Sequence, residues 1–208
     1  MKKSMCITYV VEGKLYVNIT NKCSNRCEFC IRNNGDGAYG SDSLWLEREP
    51  TVDEILDSIL ARDLSKFPEI VFCGYGEPSY RLDDAVYVSK RVKEICPEMK
   101  VRINTNGHSD LILGRNTALE YKDAFDTVSI SLNTPSAERY QQICHSIYGE
   151  QSFDALLKFA GEVKNYVPSV ILSAVRDTLT EQEIADCYRI CDSLGVTLRL
   201  RDYIPPES

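Results

Sequence analysis

Three cysteines fall within eight residues, Cys23, Cys27 and Cys30, in the spacing Cys-x-x-x-Cys-x-x-Cys. Thiolates are soft ligands that suit iron–sulfur clusters or zinc. A short irregular loop can wrap three thiols around three corners of a cubane and leave the fourth iron open for another ligand. A structural zinc knot is the alternative. Zinc takes four protein ligands, commonly from a second cysteine or histidine pair, and no such pair stands near His108 or His145. The chain holds nine cysteines, an odd number that forbids complete internal pairing, and in a reducing compartment free thiols or metal ligands are the expected state.

Other polar residues gather just after apolar runs. Gly74-Tyr75-Gly76-Glu77-Pro78 combines a carboxylate with glycines that permit close approach, a pattern that attracts an ammonium group. Asn104-Thr105-Asn106-Gly107 reads as a tight turn. Ser131 and Asn133, two apart, share one face of a strand end. Ser173 and Arg176 stand near the end of another apolar run, and Arg199 and Arg201 alternate with Leu198 and Leu200. Such an arginine face either points inward to an anionic substrate or lies at a solvated edge.

The elements that must carry these residues alternate. Residues 7–11 and 15–19 read as strands around a Glu12-Gly13 turn, a β-hairpin. Further strands are expected at 70–73, 101–104, 127–132, 170–175 and 197–201. Thr51 and Glu54 form a capping box ahead of Ile55, Leu56, Ile59 and Leu60. A second helix follows Ala85, Val88, Val92 and Ile95 and stops at Pro97; others cover 136–144 and 153–167. Thr180 and Glu183 cap a last helix with the stripe Ile184, Cys187, Tyr188, Cys191 and Leu194, closed by Gly195. Strands alternating with helices make a mainly parallel sheet. Six βα strands suit a partial (β/α)6 TIM-like barrel with an N-terminal hairpin, whose chemistry sits at the carboxyl ends of the strands.

The 208 residues, 43% hydrophobic and 26% charged, are expected to fold as one domain over 1–208, with a cluster loop at 21–34 and an insertion loop at about 31–49. No apolar run is long enough to span a membrane, and no secretory signal is legible, so a cytoplasmic protein is expected. The net charge of −7 argues against salt-driven binding to nucleic acid. Cys187 and Cys191 read as core, Cys73 as packing, and Cys6, Cys96 and Cys144 as scattered. Trp45, the single tryptophan, reads as an anchor for the 31–49 loop.

The Cys23, Cys27, Cys30 spacing is similar to the signature of the radical S-adenosylmethionine (SAM) superfamily. The 74–78 segment resembles that family's Gly-Gly-Glu-Pro motif, with Tyr75 in place of the first glycine, and 105–107 resembles the Thr-Asn-Gly turn of its activating enzymes. The stretches 15–18, 30–36 and 42–50 look like the TatD-associated radical SAM proteins. This resemblance implies an enzyme with a [4Fe–4S] cluster on the three cysteines and SAM as cofactor. It puts Phe29 near the adenine, and the Gly74, Tyr75, Gly76, Glu77 run on the methionine amino group. Asn104, Asn106, Ser131, Asn133 and Ser173 become polar SAM contacts, and Arg176 becomes a partner for the SAM carboxylate or a surface ion pair. The expected reaction is reductive cleavage of SAM to a 5′-deoxyadenosyl radical that abstracts hydrogen from substrate. The expected partners are a one-electron donor of the flavodoxin or ferredoxin type, a protein or small-molecule substrate, and a TatD-family nuclease. A glycyl-radical enzyme activase and a non-enzymatic iron–sulfur or electron-transfer module are the alternatives.

Overall fold

The computed structural model describes residues 2–204. Seven strands form one sheet: β1 (Thr8–Val11), β2 (Lys14–Val17), β3 (Glu69–Phe72), β4 (Lys100–Thr105), β5 (Thr127–Ser131), β6 (Ser169–Val175) and β7 (Thr197–Arg201). Their spatial order is their chain order. β1 and β2 are antiparallel, and β2 to β7 are parallel throughout. Glu12 and Gly13 both adopt positive φ, 49° and 73°, the backbone that lets a two-residue turn match the twist of a hairpin. The six parallel strands and the leading hairpin match the expected partial barrel. No pairing joins β7 to β1, so the sheet stays open along one side.

Six helices cross back between strands or follow them: α1 (Val52–Leu60), α2 (Leu82–Ile95), α3 (Ser109–Leu113), α4 (Ala137–Cys144), α5 (Gln151–Val163) and α6 (Glu181–Leu194). Both expected capping boxes form, at Thr51 with Glu54 and at Thr180 with Glu183. They satisfy backbone N–H groups that a helix start leaves unpaired. The five-residue α3 escaped the sequence reading because it is too short to express a helical period. Three residues leave their expected faces. Leu60, at the end of α1, is exposed; Ile95, at the last turn of α2 before Pro97, is 54% exposed; and Tyr188 of α6 is exposed beside the buried Cys187 and Cys191.

The strands sort their side chains by face. Leu15, Val17, Ile70, Phe72, Val101, Ile103, Val128, Ile130 and Leu172 form the main core with Ile55, Val88, Leu156, Phe159 and Cys187 of the helices. Burying such side chains is worth about 1.5–3 kcal/mol each, which anchors the helices to one face. The alternate residues, Tyr16, Arg102, Asn104, Ser129, Ser131, Ser173 and Arg199, face the concave side and line a cavity. No helix among the described residues is long and apolar enough to cross a membrane.

The two faces should respond oppositely to truncation. Phe72→Ala, at a fully buried ring packed edge-on against Phe125 at 6.0 Å, is expected to cost about 3–5 kcal/mol in chemical denaturation. Ser131→Ala on the concave face is expected to cost under about 1 kcal/mol.

Candidate functional site

The cysteine loop has almost no regular structure and is held by its surroundings. Glu77 N–H donates to the Lys22 carbonyl at 2.7 Å. On the other side the end of α4 clasps the loop: Arg26 N–H donates to the Cys144 carbonyl at 2.9 Å, Glu28 N–H to the Ile143 carbonyl at 3.0 Å, and Ile147 N–H to the Ser24 carbonyl at 2.9 Å. The glycines at 74 and 76 admit this closeness. A Cβ on Gly74 would lie 2.1 Å from Asn18 Oδ1, and one on Gly76 would lie 2.2 Å from the Thr20 carbonyl oxygen.

Glu77 is 4% exposed and turns inward. Its Oε1 accepts from Thr105 Oγ1 at 2.7 Å and Ser79 N–H at 3.0 Å, and its Oε2 from Asn106 N–H at 2.7 Å. Burial pushes its carboxyl above the usual range, and these hydrogen bonds to the charged form offset only part of that rise. The carboxylate thus ties the end of β3 to the end of β4. That arrangement turns the Glu77 carboxylate toward the protein's own backbone and the Thr105 hydroxyl.

A buried chain runs on from there. Asn106 Nδ2 donates to Ser24 Oγ at 2.8 Å, Ser24 Oγ meets His108 Nδ1 at 3.2 Å, His108 Nε2 meets the Tyr140 hydroxyl at 3.4 Å, and Asn25 Nδ2 donates to that hydroxyl at 2.9 Å. Burial pushes the imidazole down to about 4. Ser24, Asn25, His108 and Tyr140 carried no role in the sequence reading, because nothing in the local spacing links residues 32 to 115 positions apart.

The three cysteines line the same cavity of about 570 Å³ as Phe29, Gly74, Tyr75, Gly76, Glu77, Asn104, Asn106, Ser131, Asn133 and Ser173. This volume suits a small-molecule site, which usually spans about 300–1,000 Å³. The cysteines are not gathered round one point for a single ion; a cubane takes each thiolate on a separate iron. Burial and the Glu77 charge push the Cys23 thiol up to about 12. Cys27 forms a hydrogen bond with Cys144, which therefore abuts the loop rather than standing apart.

Two expectations are corrected. Arg176 is exposed on the 3₁₀ turn that follows β6 and does not line the cavity, because the strand ends at Val175 and the chain turns outward. Cys73 is not core packing. Phe72 takes the helix side, so the next residue falls on the concave face, where a hydrogen bond from the Asn104 side chain reaches its thiol.

Tyr75 also finds its reason. It is 2% exposed, and its hydroxyl donates to the carbonyls of Gly35 and Gly37, at 3.0 and 2.8 Å. Trp45 packs edge-on against it at 5.2 Å, so the tryptophan does anchor the loop. Asn18 Nδ2 and Asn21 Nδ2 donate to the Leu44 and Leu46 carbonyls, each at 2.8 Å. The 31–49 segment is a fastened cavity wall, contributing Ile31, Ala38, Tyr39 and Leu44.

An open six-stranded βα barrel with a three-cysteine loop at the carboxyl ends of its strands defines a site for cofactor-borne redox chemistry. The chain belongs to the radical SAM superfamily, whose model matches residues 17–191. Members of that family use a [4Fe–4S] cluster and SAM. The chain is 27% identical over 205 residues to the tungsten-containing aldehyde ferredoxin oxidoreductase cofactor-modifying protein of Pyrococcus furiosus, covering 92% of this chain and 51% of that one. It is 27% identical over 198 residues to a probable GTP 3′,8-cyclase of Methanocaldococcus jannaschii, covering 92% and 59%. The chain thus spans little more than half of these curated relatives. A radical SAM methyltransferase from Sphaerobacter thermophilus superposes with a TM-score of 0.67 at 15% identity, covering 97% of this chain and 60% of that one. Streptococcus suis SuiB bound to its precursor peptide SuiA also gives 0.67 at 15% identity, covering 91% and 39%.

Two outcomes follow from the geometry. His108 stays neutral in the fold where the unfolded chain takes a proton near pH 6.5, so stability should fall as pH drops from about 6.5 to about 4. His108's share of the slope should reach about 1.4 kcal/mol per pH unit and be missing from His108→Gln, read as the difference between the two proteins in denaturation across that range. Tyr75→Phe should loosen residues 35–37, seen as faster amide exchange, at a cost of about 1–2 kcal/mol.

Proposed function

We propose that this chain, acting as one domain, holds a [4Fe–4S] cluster through Cys23, Cys27 and Cys30, binds SAM beside it, and acts on a substrate held in the same cavity. The observation that carries the reading is the meeting of the three cysteines with the 74–77 motif and Asn106 on one cavity wall, tied by the Glu77 hydrogen bonds. Reduced by a one-electron donor of the flavodoxin or ferredoxin type, the cluster with SAM supplies a 5′-deoxyadenosyl radical for hydrogen abstraction, the hard chemistry that belongs to the cofactors.

The chain's own residues bind, orient and shield. Backbone carbonyls around Gly74 and Gly76 face the ammonium of SAM, and Phe29, half-buried on the cysteine loop, offers a flat apolar surface to its adenine. Asn104 Oδ1 and Asn133 Oδ1 are buried acceptors with no partner among the described residues, suited to ribose hydroxyls or the amino group. Asn133 is aimed by its left-handed backbone, φ 62°, and by its N–H donating to the Ser173 carbonyl at 3.1 Å. The fastened 31–49 wall limits water at the cysteine loop.

Anaerobic reconstitution should yield a [4Fe–4S] absorption and electron paramagnetic resonance signature, and dithionite with SAM should release 5′-deoxyadenosine. Cys27→Ser should lose the cluster signature and the 5′-deoxyadenosine together. A loaded cluster that neither binds nor cleaves SAM contradicts the reading.

A further inference from the structure

A closed eight-strand barrel fills its interior with layers of branched apolar side chains; this sheet is open, and its concave face lines a cavity instead. Here the concave face carries guanidiniums: Arg102 from β4 and Arg199 from β7 inside the cavity, with Arg201 exposed at its rim. This concentration of positive charge stands in a chain whose net charge is −7.

Their partners do not balance them. Arg102 is 5% exposed, and its Nη2 lies 3.2 Å from Glu69 Oε2. The same carboxylate oxygen lies 3.9 Å from Lys14 Nζ, so one acid serves two cations. Arg199 makes no ion pair among the described residues; its Nη2 donates to Ser129 Oγ at 3.0 Å. The Nε of Arg102 and the Nε of Arg199 are both buried without a hydrogen-bond partner among the described residues. Burial and the charges of Arg102 and Arg201 push the Arg199 guanidinium down from its usual range, a sign of mutual repulsion. The acids that line the cavity, Glu12, Glu77 and Asp202, do not supply the missing charge: Glu77 is engaged at the strand ends, and Glu12 and Asp202 are exposed. A buried, unpaired donor beside an uncompensated charge is costly unless a ligand completes it.

The location separates this cluster from the cysteine loop. Arg102 stands two residues before Asn104 and three before Thr105, the residue that bonds Glu77. Two residues along a parallel strand span about 6.6 Å, so Arg102 lies deeper than the motifs at the strand ends. Ser129 pairs with Asn104 in register, and the Arg199 side chain reaches down to it. Tyr16, whose hydroxyl feels both Arg102 and Arg199, flanks them on the cavity wall.

We propose that Arg102, Arg199 and Ser129 form an oxyanion subsite on the cavity floor that takes the carboxylate or phosphate group of the substrate. This subsite rests on the reading of the cavity as the substrate chamber. Guanidinium forks match either planar carboxylate or tetrahedral phosphate oxygens, and the Ser129 hydroxyl adds a donor between them. The anion relieves the repulsion among the arginines and orients the rest of the substrate toward the cysteine loop.

The test uses cluster-loaded, SAM-saturated protein titrated with inorganic phosphate and, separately, with succinate, followed by calorimetry and thermal stabilisation. At least one anion should bind and raise the melting temperature. Arg199→Gln should weaken that binding about tenfold or more, with Arg199→Lys in between and Arg176→Gln, outside the cavity, unchanged. Without anion, Arg199→Gln should melt no lower than the wild type, because a repelled charge is removed. Tighter phosphate assigns a phosphorylated substrate, and tighter succinate a carboxylated one; both support the subsite. Absence of binding by either anion at millimolar concentration overturns it. So does Arg199→Gln that leaves anion binding intact, or that weakens SAM binding as much as anion binding, since the arginines would then serve the cofactor. Cluster content and 5′-deoxyadenosine release, measured on the same samples, report separately on the radical SAM reading.

Discussion

The structure depends on one buried carboxylate. Glu77 has no cation beside it among the described residues, and a carboxylate taken out of water that way is expensive unless its oxygens are fully hydrogen-bonded. Thr105, Asn106 and Ser79 supply those bonds, and all of them come from the ends of β3 and β4 or the turn after them. Meeting the carboxylate's needs therefore fixes how the two strand ends sit. The cysteine loop inherits that order through Asn106 and Ser24, and through the Glu77 N–H on Lys22. A loop with little regular structure of its own is thereby held from both sides.

The second organising feature is the split between the two sides of the sheet. Parallel sheets covered on both faces read as continuous apolar runs. Here only the outer face is covered by helices, so β4 and β5 alternate, with Val101, Ile103, Val128 and Ile130 in the core and Arg102, Asn104, Ser129 and Ser131 on the cavity. Stability comes from one side and chemistry from the other. The concave residues are thereby free to be polar, small or charged without loosening the helix layer.

Much of this was legible in the sequence. Apolar runs alternating with helical stripes, capping boxes and the Glu12-Gly13 turn led to the hairpin and the parallel strands. The cysteine spacing and the 74–78 motif pointed to one wall of one cavity. Other parts depended on which face a residue takes. A one-residue difference at the end of β3 moved Cys73 from packing to the cavity, and the end of β6 sent Arg176 to the surface. The same alternation held a signal for Arg102 and Ser129, since each stands two residues before a polar residue of the expected site. The His108 and Tyr140 links, and the contact of Cys144 with Cys27, were out of reach because they join distant segments through tertiary packing alone.

Tyr75 carries a consequence for how such a protein can change. One aromatic ring belongs to the turn expected to face SAM and, through its hydroxyl, to the backbone of residues 35 and 37. Lengthening or trimming that wall shifts the carbonyls away from the phenol and leaves a buried hydroxyl with less to hold. Restoring glycine at 75 frees the turn but unpins the wall. The two segments are therefore bound to drift as a unit, each change in the wall calling for a matching change in the turn.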